Sequence, residues 1–241
     1  MRKGRLQTRY RVTQQTLIID LGGRGRVLSS APQGGGFTAA SHILNHQVES
    51  NPVAKASHQA HRWSNPARYL KRLAVTLGAK RGTVGLMTAV PMTQVVTVRA
   101  SSGALWVECF ATVGVTNAVR AGEWPETGGR RTGTATPGTI NLILVTNACL
   151  SSAAMVGAVQ VATESKTGVL RDHAVPSWTG QSGATGTGTD AVVIACRLRG
   201  KGPWHAYSGT HTVIGALIGR TVARCVSRGL AKAKMWRERH S

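Results

Sequence analysis

The segment Val95-Val96-Thr97-Val98-Arg99-Ala100-Ser101-Ser102-Gly103-Ala104-Leu105-Trp106-Val107-Glu108-Cys109-Phe110 carries the fold class. Apolar and β-branched residues flank Ser101-Ser102-Gly103, the signal of a β-hairpin with a short glycine-containing turn. Upstream, Leu17-Ile18-Ile19 reads as a strand; downstream, Ile140–Thr146 and Ala191–Cys196 read as two more. Helical patterns are interleaved with these. Residues 37–48 read as a helix opened by the glycine-rich loop Pro32-Gln33-Gly34-Gly35-Gly36. A second helix starts at Pro66 with Asn65 as its cap and runs to Leu77, before Gly78. A third covers residues 152–170, capped by Ser151 or Ser152. The last covers residues 212–230, with Ile214, Leu217, Ile218, Val222, Cys225, Val226 and Leu230 on one face and Arg220, Arg224 and Arg228 on the other. Residues 49–64, 127–138 and 179–190 read as loops. Hairpin strands mixed with helices predict an α/β fold: a single domain over residues 16–231 with a mixed β-sheet covered by helices. Residues 1–15 and 232–241 read as disordered basic tails.

Composition bounds the core and the partners. The chain has 241 residues, 41% of them hydrophobic but only 5% aromatic, so the core must be built from Val, Ile, Leu, Ala and Met. The formal net charge is +21, from 30 Lys+Arg against 9 Asp+Glu. Such a balance raises nucleic acid, anionic membranes and anionic ligands as partners. Much of the charge lies at the ends, in Arg2, Lys3, Arg5, Arg9 and Arg11 and in Arg228, Lys232, Lys234, Arg237 and Arg239. There is no helix-turn-helix pattern, zinc-finger spacing or aromatic RNA-binding signature, so nucleic acid is not the expected partner. Cys109, Cys149, Cys196 and Cys225 show no C-x-x-C spacing and read as buried thiols of a reducing compartment. No secretory apolar region follows the basic start, and no apolar run reaches the ~18 residues of a membrane span. The expectation is a soluble cytoplasmic protein without a membrane partner.

Few acidic residues compete for a chemical role. Asp190 ends Ala184-Thr185-Gly186-Thr187-Gly188-Thr189-Asp190 and immediately precedes a strand. Glycines there admit a ligand to the backbone N–H groups, threonine hydroxyls add donors, and a carboxylate can orient water or accept a proton. The alternative is an ordinary turn whose Asp caps it. At about 100° per residue, Lys166 falls within about 20° of Met155 on the apolar stripe of its helix. It is either desolvated there, suited to acid or base work, or it snorkels outward near the helix end. In Gly114-Val115-Thr116-Asn117-Ala118-Val119-Arg120-Ala121-Gly122-Glu123, Asn117 can serve an oxyanion or substrate amide and Arg120 an anion, or the pair belongs to a plain turn. Before the last helix, Ser208-Gly209-Thr210-His211 offers His211 as a general acid/base, or merely a helix cap. His42 and His46 have a helical metal spacing, but no H-E-x-x-H and no third ligand accompany them, so no metal site is assigned.

The order of these blocks resembles the adenosylcobinamide amidohydrolase family. Val27-Leu28-Ser29-Ser30-Ala31-Pro32-Gln33-Gly34-Gly35-Gly36 with Ile43-Leu44-Asn45 is similar to its opening. Val84-Gly85-Leu86-Met87-Thr88-Ala89-Val90, the block at 114–123, Gly138-Thr139-Ile140-Asn141 and Ala162-Thr163-Glu164-Ser165-Lys166-Thr167 follow in the family's order. The blocks at 185–190 and 209–211 complete the set. The resemblance implies hydrolysis of the amide joining a corrin propionate to 1-amino-2-propanol, giving adenosylcobyric acid in cobinamide salvage for cobalamin synthesis. It implies a corrinoid partner, adenosylcobinamide, and no further cofactor, since the cobalt travels with the substrate.

Amide hydrolysis needs a nucleophile, a proton for the leaving amine and donors for the oxyanion. Asp190 is expected to act as base or orienter on water, Thr187 or Thr189, with Lys166 or His211 protonating the amine. Asn117 and the glycine-loop amides are expected to hold the oxyanion. Substrate contacts are expected from Gly34, Gly35, Gly36, Asn117, Arg120, Asn141, Gly186, Gly188 and Thr210. The basic tails and the His-rich loop near 58–61 depart from the family's pattern. They put extra partners, not the family assignment, in question; the two alternatives are a non-catalytic corrinoid-binding relative that keeps the fold and, from the charge of +21, a basic nucleic-acid-associated protein.

Overall fold

A computed structural model of the chain describes residues 8–48, 65–79, 82–124 and 138–240. The readings of residues 1–7, of 49–64 with the His-rich loop, and of 127–137 lie outside them. In chain order the elements are β1 (Arg9–Thr13), β2 (Thr16–Ser29), β3 (Gly36–Gln47), α1 (Pro66–Thr76), β4 (Thr83–Thr88), β5 (Val96–Ser102), β6 (Leu105–Val113), β7 (Ala118–Val119), β8 (Ile140–Thr146), β9 (Cys149–Leu150), α2 (Ser152–Asp172), β10 (Gly186–Thr187), β11 (Ala191–Cys196), β12 (Trp204–His205) and α3 (Val213–His240). One eight-stranded sheet has the order β4-β3-β2-β11-β8-β6-β5, with β1 paired to β2. It is mixed: β3 with β4 and β8 with β11 run parallel, and its other pairs antiparallel.

The sheet doubles over on itself. The β2–β3 register shifts between Asp20 and Gly25, where the two long strands bend. Beyond the bend, Leu17, Ile19, Ile43, Val84 and Leu86 pack against Phe110, Ile143 and Val193 of the other half in one buried cluster. On the opposite face of β6, β8 and β11, Cys109, Leu142 and Ile194 pack with Met155 of α2 and Ile218 and Cys225 of α3. The outer face of the folded-over half, at Ile18 and Leu44, is covered by Ala74 and Leu77 around α1. The result is four layers, helix, sheet, sheet, helix. Both sheet halves are covered on both faces, which is why β6 and β8 are buried at every position and read as continuous apolar runs.

The α/β single-domain reading agrees with this architecture, and three local readings are corrected. Residues 37–48 are not a helix but most of β3. A strand buried on both faces carries apolar residues of both parities, and Ala40, Ile43 and Leu44 thereby imitate helical spacing. In the described part of the N-terminal segment, Arg9–Thr13 is not a tail but pairs with Thr16–Asp20 through a two-residue turn in which Gln14 and Gln15 have φ of 45° and 55°. Its polar look is that of an exposed edge strand, for which cationic side chains are suited. At the other end α3 continues through residues 232–240, as good helix formers with cations near a helix C-terminus favour. Lys232 anchors this extension by donating to the Val95 carbonyl at 3.0 Å.

Candidate active site

β8 and β11 are parallel neighbours, so the residues just before them meet at one end of the sheet. Each strand is preceded by a Gly-Thr pair, Gly138-Thr139 and Gly188-Thr189. Asp190 projects across this junction. Its Oδ1 accepts from the Ile140 N–H at 2.9 Å and from the Thr187 hydroxyl at 2.5 Å; its Oδ2 accepts from the Thr187 N–H at 3.1 Å and from Lys166 Nζ. The four donors match the roughly four lone-pair directions of a carboxylate.

Lys166 arrives from α2. Ser151 caps that helix by accepting from the Ala154 N–H at 2.9 Å, at the far end of β8. Helix and strand rises put Lys166 roughly 21 Å along α2, against roughly 23 Å for the length of β8, so the side chain is returned to the strand's beginning. Of the two sequence alternatives for Lys166, the structure selects burial: it is an ion-paired member of the apolar stripe. Gly186 leaves room for the pair, since a Cβ there would stand 2.6 Å from Lys166 Nζ and against Asp190 Oδ2, and would displace them.

The block at 114–123 closes the site from β6. β7 pairs with β10, placing Ala118 opposite Thr187 and Val119 opposite Gly186. Thr185 and Ala121 are tied by a hydroxyl–backbone bond of 2.8 Å, which sets exposed Arg120 on the rim. The Arg120 N–H donates to Glu123 Oε2 at 2.9 Å, and that bond above all holds the Glu123 carboxyl below its ordinary pKa. Asn117 Oδ1 is buried without a hydrogen-bond partner among the described residues, and a Cβ on Gly138 would stand 2.6 Å from it. Thr139 and Thr189 share a hydroxyl–hydroxyl bond. Thr187 is buried, whereas Gly188 and Thr189 are exposed.

The sequence from end to end points the same way as this convergence. The model of the adenosylcobinamide amidohydrolase family matches residues 2–238. The chain belongs to that family. An adenosylcobinamide amidohydrolase of Methanosarcina mazei is 29% identical over 230 residues, 92% of this chain and 96% of that one. An uncharacterized protein of Methanocaldococcus jannaschii is 29% identical over 233 residues, 90% of this chain and 86% of its own. An adenosylcobinamide amidohydrolase of Halobacterium salinarum is 38% identical over 96 residues, 40% of this chain and 37% of that one. Membership makes this an enzyme of the amidohydrolase kind in cobinamide metabolism. No helix among the described residues is long and apolar enough to cross a membrane.

Within this family member, the structure gathers most of the sequence-selected residues and separates others. Asp190, Lys166, Thr187, Thr189, Gly186, Gly188, Asn117 and Arg120 belong to one end of the sheet. The Gly34–Gly36 turn lies at that end too: the Val192 N–H donates to Ser30 Oγ at 3.1 Å, two residues beyond Asp190. Asn141 is there but faces inward, between the sheet layers. Its Nδ2 donates to Asn45 Oδ1 and to the Met87 carbonyl, both at 2.9 Å, and Asn45 Nδ2 donates to Thr112 at 3.0 Å.

Thr210 and His211 are not brought to Asp190. Ser208 donates to the Ala154 carbonyl at 2.6 Å, fixing this segment near the start of α2, roughly 18 Å along the helix from Lys166. Thr212 Oγ1 accepts from the Gly215 N–H at 3.0 Å, so capping is what the segment does there. His42 and His46, placed on a strand, are roughly 13 Å apart, too far to share one ion. His46 instead bonds Thr16 Oγ1 at 2.8 Å and the Tyr69 hydroxyl at 2.9 Å, and its burial lowers its pKa from the ordinary 6.5. Sequence reasoning placed Gly138, Thr139 and Asn45 in family-like blocks but gave them no role in the site. The repeated Gly-Thr before two strands was the available signal for the first two.

Proposed function

We propose that the protein hydrolyses the aminopropanol amide of adenosylcobinamide, releasing adenosylcobyric acid and 1-amino-2-propanol, and that the Asp190–Lys166 end of the sheet performs the reaction. The observation that carries this is the buried Lys166 ion-paired with the half-buried Asp190, met by the Thr187 hydroxyl, beneath the exposed Gly188-Thr189 turn. Buried ionic groups of that kind at a glycine-lined surface are characteristic of reaction centres rather than of stability devices.

The four donors on Asp190 favour the orienting role over that of base. No lone pair remains directed at a water of its own, so the carboxylate holds Lys166 and the Thr187 hydroxyl in place. A water at the Thr187–Thr189 turn adds to the amide carbon. The oxyanion is held by N–H groups of the glycine turn and by Asn117. Collapse of the tetrahedral adduct breaks the C–N bond; Lys166 supplies the proton to the departing amine and takes one back from the oxygen of the added water, so the lysine ends as it began and the acid product ionises to solvent. Arg120 and Gly34–Gly36 contact the amide-fringed rim of the corrin. The cobalt belongs to the substrate, and four free buried thiols suit a reducing, cytoplasmic setting.

The test is incubation of the purified protein with adenosylcobinamide and chromatographic resolution of the corrinoid products. Wild type should release adenosylcobyric acid, and Asp190→Asn should reduce the rate at least about a hundredfold, the scale set by losing a positioned acid–base partner. Near-normal turnover by Asp190→Asn would remove this cluster from the chemistry. Tight corrinoid binding without any product would favour the non-catalytic relative.

A further inference from the structure

At the opposite end of β8 and β11, roughly 23 Å from the Asp190 cluster, a cleft of about 1000 Å³ opens to solvent. Its walls are the bend of β2, the β5–β6 hairpin and the segment following β11. Each contributes cations: Arg24 from the bend, Arg99 from the hairpin, Arg197 and Lys201 from the last segment. No Asp or Glu is among the described residues that line it.

Two of the cations are held in fixed orientation. The Arg99 guanidinium lies 4.0 Å over the Trp106 ring and 3.7 Å from Glu108, which stands behind it. Arg197 donates to the Leu21 carbonyl at 3.1 Å, clamping the segment after β11 to the bend of β2. Arg24 and Lys201 are exposed at the rim. A concave surface lined by one sign of charge focuses its field on the space inside, and fixed guanidinium forks match phosphate oxygens. With the charge of Arg99 partly offset by Glu108 and those of Arg24, Arg197 and Lys201 facing the same volume, the cleft favours a ligand that carries several negative charges close together. The volume is that of a small-molecule site.

The geometry points to a second, non-catalytic site in this cleft that binds a small ligand with a chain of phosphates, a nucleoside diphosphate or inorganic pyrophosphate. Arg99 and Arg197 grip the phosphates, and Arg24 and Lys201 draw them in. The site goes beyond the amide chemistry and does not depend on it, since the length of β8 separates the two.

Isothermal titration of the full chain with pyrophosphate, ADP, adenosine and a single-stranded oligonucleotide tests this, alongside the double variant Arg24→Glu/Lys201→Glu. Both substitutions are at exposed positions, and equal thermal midpoints will show that the variant is folded. Pyrophosphate and ADP should each bind with one-to-one stoichiometry, adenosine should not bind, and the double variant should weaken both at least about a hundredfold. Tighter binding of ADP than of pyrophosphate identifies the nucleotide as the ligand; equal binding identifies the phosphate chain alone, and either supports the site. Absence of binding by both, unchanged affinity in the double variant, or binding of the oligonucleotide alone overturns it.

Discussion

Lys166 and Asp190 illustrate how much a single helical angle can reveal. The stripe position of Lys166 marked a cation inside the core, and a buried cation needs a partner or must leave. Only the parallel pairing of β8 and β11 supplied the partner. Removing one member leaves the other charge buried, so Lys166→Met should destabilise the protein by about 3–5 kcal/mol, and adding Asp190→Asn should restore part of that loss. Urea unfolding of the two singles and the double reads the coupling; additive losses would deny it. His46 makes a pH prediction. Its folded pKa lies below 6.5, so the unfolded chain binds the extra proton first as the pH falls. Stability is therefore fully present above about pH 6.5 and is lost as the pH drops toward the folded value. Thermal midpoints measured from pH 7.5 to 5 should fall less steeply in His46→Gln than in wild type.

Among the elements, the strands of the hairpin segment, β8 and β11, and the helices α1 and α2, stand where hydrophobic period and capping residues put them. Asn65 and Ser151 cap α1 and α2 through the bonds that sequence position anticipates. β3 and β1 were misread for opposite reasons. β3 is buried on both faces and lost its alternation, while β1 is an edge strand too exposed to show an apolar face. The β1–β2 turn offers a test. Gln14 and Gln15 occupy left-handed conformations that Asn and Gly adopt more readily. The double change Gln14→Asn/Gln15→Gly should stabilise the protein by up to about 1 kcal/mol, read as a higher urea midpoint with an unchanged slope. A lower midpoint would contradict the turn geometry.

For the molecule as a whole, the doubling of one sheet is the central fact. It turns a two-faced sheet into two half-sheets with an apolar filling, and it sets Asn45 of β3 against Asn141 of β8 and Thr112 of β6. These buried amides and the hydroxyl join layers distant in sequence. Asn45→Leu should leave the Asn141 and Thr112 groups each short of a partner, at about 1–3 kcal/mol per group. Chemical denaturation should show a single shifted transition; two separated transitions would mean that the halves fold independently. The net charge of +21 also takes form only at this level. A count of cations does not distinguish a diffuse basic surface from a cleft, whereas the bend of β2, the β5–β6 hairpin and the segment after β11 concentrate four of them in one cavity.

Local signals in the chain were enough for the α/β class, for most strands and helices, and for Asp190, Lys166 and the Gly/Thr turn as one group of interest. Those signals are short-ranged: periodicity, caps and turn residues act within a few positions of one another. The fold-over of the sheet, the Lys166–Asp190 pairing, the inward turn of Asn141, the distance of His211 from the cluster and the basic cleft all arise from contacts between residues far apart in the chain. Strand order and helix direction set such contacts, and no local pattern encodes them.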